Sequence, residues 1–148
     1  MYYFAYGLNM NLEFMRRVCG WHFTVIGAGV LENYEFGSDT RGYVNIRSCL
    51  GQKVFGLIYE VDDKCLKSLD EFEGYPEVFG RKAVGVRGMG GKNYRVWVYL
   101  EGSENFGKNE IREEYLKRVL VGARENRLPE EWINFLRGYC RDKYYPSV

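Results

Sequence analysis

The chain has one histidine, three prolines and no pair of cysteines at C-x-x-C spacing. A lone His22 removes any metal site that needs two imidazoles, and it leaves a Ser/His/Asp triad resting on one residue with no nucleophile motif beside it. Cys19, Cys49, Cys65 and Cys140 lie far apart in sequence. Neither a zinc site nor a disulfide framework is indicated, and they read as buried or partly buried thiols in a reducing cytoplasm. No apolar run approaches the length of a membrane span, and the first residues carry no basic leader, which argues for a soluble, intracellular protein. Charge of one sign is missing too. With 21 Lys and Arg scattered among 20 Asp and Glu, nothing asks for nucleic acid or an anionic membrane.

What the chain has in plenty is apolar and aromatic: 46% of residues are hydrophobic and 17% aromatic. In 148 residues that supports one core and a single domain over 1–148, and it argues against disorder. Residues 2–6 read as a short buried strand ending at Gly7. Asn9 or Asn11 then caps a helix with Leu12, Met15 and Val18 on its apolar side. This strand, turn and helix leave the N–H groups of Gly7, Leu8 and Asn9 at a helix N-terminus, where they suit a carboxylate or a developing oxyanion. The turn equally well needs Gly only for its backbone angles.

Residues 24–31 form a second strand, and Gly37-Ser38-Asp39 turns the chain. Strands over 43–46 and 54–61 follow, joined as a hairpin at Leu50-Gly51-Gln52-Lys53. Residues 81–87 and 93–100 pair across Gly88-Met89-Gly90-Gly91, a turn and not a phosphate loop, since no helix or Lys-Ser/Thr follows. A polar loop over 101–109 leads to helices over 111–124 and 129–139, which make a C-terminal helical segment over about 108–140. Strands outnumber helices and mostly pair with sequence neighbours. The fold class is therefore α+β: a small, mixed, mostly antiparallel β-barrel, closed or half closed, flanked by helices.

Leu69-Asp70-Glu71-Phe72-Glu73-Gly74-Tyr75-Pro76 puts three carboxylates around a Phe where a helix over 63–73 stops. Asp62 is its N-cap, and Cys65, Leu66, Leu69 and Phe72 form its apolar stripe. Glu73 falls on or beside that stripe, while Asp70 and Glu71 point towards water. A carboxylate drawn to apolar surface loses hydration; its pKa rises, and it becomes fit to act as a general base or acid at neutral pH. The plainer reading of such a Glu is a solvated surface residue.

Taken together, Phe4-Ala5-Tyr6-Gly7-Leu8-Asn9-Met10, Leu31-Glu32-Asn33-Tyr34, Gly42-Tyr43-Val44-Asn45-Ile46, Val54-Phe55-Gly56-Leu57-Ile58-Tyr59 and Leu69-Asp70-Glu71-Phe72-Glu73-Gly74 resemble the γ-glutamylcyclotransferase family (AIG2-like) in order and spacing. The run over 115–129 is similar to the C-terminal part of members that act on γ-glutamyl amino acids. The resemblance implies a small β-barrel flanked by helices, and conversion of a γ-glutamyl amino acid or amine into 5-oxoproline and a free amine, with no cofactor and no metal. It implies Glu73 as the catalytic acid/base, and Tyr6, Gly7, Leu8 and Asn9 as the loop cradling substrate. Tyr99 and Tyr115 match tyrosines that line the pocket, although core packing accounts for those rings equally well. Leu8 stands where the family usually has Ser or Thr, Val44 where many members have Ala, and Phe79 near a common Tyr.

The implied partner is a small γ-glutamyl substrate, in a cytoplasmic protein with no membrane or nucleic-acid role and with a homodimer allowed. Two other readings stay open: a non-catalytic barrel that binds a small carboxylate ligand or a protein partner, and an amidase for a different γ-linked amide.

Overall fold

The computed structural model describes residues 1–107 and 110–144, with side chains as far as Tyr139. Lys108 and Asn109, at the end of the expected polar loop, and the Cys140 side chain lie outside the described residues. Strands β1 (Tyr2–Ala5), β2 (Phe23–Ser38), β3 (Val44–Val61), β4 (Gly80–Gly88) and β5 (Asn93–Leu100) close into a barrel in the order β1-β3-β2-β4-β5. β1 runs antiparallel to β3 and parallel to β5, with Tyr2 opposite Val96 and Tyr3 opposite Trp97. That parallel pairing joins the two ends of the sheet and hides its edges. Phe4, Ile46, Leu57, Tyr59 and Val98, from both faces of the sheet, are fully buried. The β4–β5 hairpin turns at the glycine cluster that marks it in the sequence.

No hairpin turn occurs at Leu50-Gly51-Gln52-Lys53. Lys53 lies opposite Glu32 and Ser48 opposite Tyr34, so both halves of β3 run along the same neighbour and the chain does not reverse. The residues between them bulge from the ladder opposite Asn33, whose φ is 64° and whose Oδ1 accepts the Gly51 N–H at 3.0 Å. A Gly signal that marks a turn in isolation marks a bulge when both flanks have a partner strand. The true β2–β3 turn lies between Asp39 and Tyr43, and Gly37 and Ser38 remain within β2.

Helices α1 (Leu12–Cys19), α2 (Asp63–Glu73), α3 (Glu113–Glu125) and α4 (Glu130–Tyr144) flank the barrel. Their caps follow the sequence: Asn11 Oδ1 accepts the Phe14 N–H at 3.1 Å, and Asp62 Oδ1 accepts the Cys65 N–H at 2.9 Å. α3 starts two residues later than its apolar pattern, because Ile111 is buried in the segment leading into it.

The cysteine reading needs correction. Cys19 and Cys65 form a disulfide that ties α1 to α2, with Cα atoms 4.8 Å apart. Their separation of 46 residues carries no signal; the two thiols meet because the helices pack side by side. Closing a loop of that length stabilises the fold by about 2–4 kcal/mol. Among the described residues no helix is long and apolar enough to cross a membrane.

Candidate active site

β1 ends at Ala5, and Tyr6-Gly7 carry the chain into a 3-10 turn over Leu8–Met10 before Asn11 starts α1. α3 holds this turn from outside. Asn11 Nδ2 donates to the Arg118 carbonyl at 3.1 Å, and Asn126 Nδ2 to the Met10 carbonyl at 3.0 Å. Gly7 has no room for a side chain, since a Cβ would lie 2.6 Å from Val44 Cγ2 and 2.8 Å from the Tyr115 hydroxyl. That hydroxyl accepts the Leu8 N–H at 3.3 Å, whereas the Gly7 and Asn9 N–H groups have no acceptor among the described residues.

Glu73 ends α2. Cys65 and Leu69 bury the inward side of the helix, and the next position four residues on is Glu73 itself. Gly74, at φ 70°, then terminates the helix in the left-handed conformation. Phe72, expected on the apolar stripe, points outward at 47% exposure and meets Phe14 edge-on. Glu73 does not project into bulk water. It is half-buried in a pocket of about 250 Å³ that Gly7, Leu8 and Asn9 also line. Its Oε1 accepts a hydrogen bond from Asn9 Nδ2 at 3.4 Å, and the same amide nitrogen donates to the Tyr3 hydroxyl at 2.9 Å. Withdrawal from water pushes the Glu73 carboxyl up to about 7; Arg41 pulls it down and Glu101 pushes it further up.

Tyr6, Tyr99 and Tyr115 line the same pocket, but their hydroxyls have partners in the protein. Tyr6 donates to the Tyr99 carbonyl at 2.6 Å, and Tyr99 donates to Asp70 Oδ1 at 2.5 Å. Burial raises the pKa of all three phenols, so they stay protonated. Asp70, expected to face water, instead pairs with Arg81 as well as Tyr99 and anchors α2 one turn before Glu73.

Three functional candidates escape a reading of the sequence. Arg41 lines the pocket, and its Nη2 donates to Asp39 at 2.8 Å and to Glu101 at 3.2 Å. Asp39 and Glu101 are both buried. Burial alone would raise Asp39, but hydrogen bonds from Glu101, Tyr43 and Arg41 hold it below its ordinary value. Burial and the neighbouring Asp39 push Glu101 up to about 7, against the pull of Arg41. The available signal was an acid two residues before Arg in a turn; Glu101, sixty residues on, gave none. Among the described residues, no group of three or more His, Cys, Asp or Glu is placed to hold a metal ion.

A closed five-stranded barrel flanked by four helices is the fold of the gamma-glutamyl cyclotransferases. A solved structure described as a gamma-glutamyl cyclotransferase superposes with a TM-score of 0.87 at 24% identity, covering 100% of this chain and 92% of that one. The chain belongs to the family described as Gamma-glutamyl cyclotransferase, AIG2-like, which matches residues 3–118. Over 47 residues it is 41% identical to a protein of Methanocaldococcus jannaschii named as a candidate gamma-glutamylcyclotransferase, covering 32% of this chain and 39% of the relative. Over 43 residues it is 46% identical to the gamma-glutamylaminecyclotransferase of Bos taurus, covering 26% of each chain. This chain therefore spans less than half the length of either of these relatives.

Proposed function

We propose that this pocket converts a γ-glutamyl amino acid or amine into 5-oxoproline and a free amine, with Glu73 as general base and then general acid. The observation that carries the reading is one carboxylate, raised to about 7, in a pocket it shares with backbone N–H groups. Ionised Glu73 takes a proton from the substrate's α-ammonium and releases it to water. The freed nitrogen attacks the γ-carbonyl carbon, forming a C–N bond and an oxyanion. The Gly7 and Asn9 N–H groups are the donors for that oxyanion or for the substrate carboxylate. Glu73 then moves a second proton from the ring nitrogen to the departing nitrogen. The old C–N bond breaks, the carbonyl re-forms, and the amine takes its last proton from water.

Ring closure is intramolecular, so holding the substrate folded supplies much of the acceleration. Leu8 contributes no hydroxyl and its N–H is taken by Tyr115, so the donors of this turn are the Gly7 and Asn9 N–H groups. We place the reaction in the cytoplasm; the Cys19–Cys65 bond, buried at both ends, is shielded there from thiol exchange. Incubating pure protein with γ-glutamyl-alanine, γ-glutamyl-lysine and glutathione tests the assignment. Release of 5-oxoproline from at least one supports it, and release from none contradicts it.

A further inference from the structure

The pocket's floor and its rim are chemically different. Tyr3, Phe4, Tyr6, Asn9 and Tyr99 line it and are buried, so they form the floor beside Glu73. Phe72 and Val78 line it while 47% and 48% exposed, so they belong to the rim together with half-buried Leu8. Arg41, with its side chain 44% exposed, is the one cation among the described lining residues. Its guanidinium is fixed in place: Cζ lies 5.4 Å from the Tyr43 ring and 5.9 Å from the Phe79 ring, and both buried acids bind the same nitrogen, Nη2. Nε and Nη1 carry no hydrogen bond among the described residues. Both two-point edges of a guanidinium include Nη2, so what Arg41 keeps for a ligand is Nη1, whose N–H groups can give a carboxylate a single charge-assisted hydrogen bond.

We infer that the leaving group is an apolar amino acid whose free carboxylate is bound by Arg41 and whose side chain lies against Leu8, Phe72 and Val78. This rests on the cyclotransferase reading above. The substrate's own α-carboxylate sits on the carbon that bears the reacting nitrogen, so it stays at the floor with Glu73 and the Gly7–Asn9 N–H groups. The rim then faces what leaves. Glu71 also lines the pocket, but it is exposed and its charge is screened by water.

Two conjugates that differ only in the carboxylate test this: γ-glutamyl-leucine and γ-glutamyl-3-methylbutylamide. Losing a charge-assisted hydrogen bond should lower kcat/KM for the amide by on the order of 10- to 100-fold. γ-Glutamyl-glycine, which keeps the carboxylate but has no side chain, should fall roughly 5- to 50-fold below γ-glutamyl-leucine. In Arg41→Met the leucine-to-amide ratio should approach one, and in Arg41→Lys, which keeps a charged donor, part of it should return. The wild-type comparison needs no variant, so misfolding of either variant leaves the test intact. Equal turnover of γ-glutamyl-leucine and the amide, with 5-oxoproline formed from both, overturns the inference and leaves the reaction standing. A ratio unchanged in Arg41→Met overturns the role of Arg41, and glycine matching leucine overturns that of the apolar rim. Absence of 5-oxoproline from all three conjugates overturns the reaction itself, and this inference with it.

Discussion

Beside β2, β3 and α4 lies a hollow of about 470 Å³, walled by Phe36, Phe55, Trp132, Phe135 and Tyr139; the pocket at Glu73 encloses about 250 Å³. In the larger hollow the rings satisfy one another, with Trp132 stacked on Phe135 at 4.7 Å and Phe36 edge-on to Trp132 at 5.5 Å. Its acids are answered by cations, Glu35 by Arg47 at 3.2 Å and Glu131 by Lys53 at 4.0 Å. In the smaller one, Glu73 meets only a neutral amide and makes no ion pair among the described residues. Volume therefore does not mark the candidate site. A carboxylate withdrawn from water without a cation at contact does, because its proton affinity is moved to neutral pH.

The largest effect that separates the two hollows is on rate. Glu73→Gln keeps the shape and removes the proposed base, and kcat should fall by about two to four orders of magnitude with the circular dichroism spectrum unchanged. Phe135→Ala, in the larger hollow, should change kcat/KM by less than about 3-fold. Comparable losses in both would erase the distinction. Gly7→Ala comes next. Its methyl would meet Val44 and the Tyr115 hydroxyl, so the turn or the tyrosine must shift, and kcat/KM should drop by about 10- to 100-fold. Wild-type activity in that variant would show that the close packing at Gly7 does not position the turn.

The smallest effect is on stability and has a definite sign. A carboxyl raised from 4.5 to about 7 favours the folded state at low pH, and that contribution is lost as pH rises from 4.5 through 7. Glu73→Gln should therefore be more stable than wild type by about 1–3 kcal/mol at pH 8 and no more stable at pH 4. Urea unfolding at the two pH values reads the difference.

Local physics explains what was legible beforehand. Asp62, the period of Cys65 and Leu69, and Gly74 delimit α2 without reference to anything distant, and they bring Glu73 to the inner side of its helix. The β4–β5 hairpin and the α1 cap are equally local. What stayed hidden depends on partners far along the chain. Leu50 to Lys53 reads as a turn until β2 supplies its neighbour, and Cys19 meets Cys65 only when two helices pack. Arg41 looks like an ordinary turn residue until Glu101 arrives from the end of β5. Asp70 looks solvated until Arg81 and Tyr99 close over it.

The titration of Glu73 itself tests the central claim most directly. Carbon-13 NMR of the side-chain carboxyls, with the Glu73 signal assigned from its disappearance in Glu73→Gln, should give a midpoint near 7. A midpoint near 4.5, the ordinary value, would show a solvated carboxylate and contradict its assignment as the base.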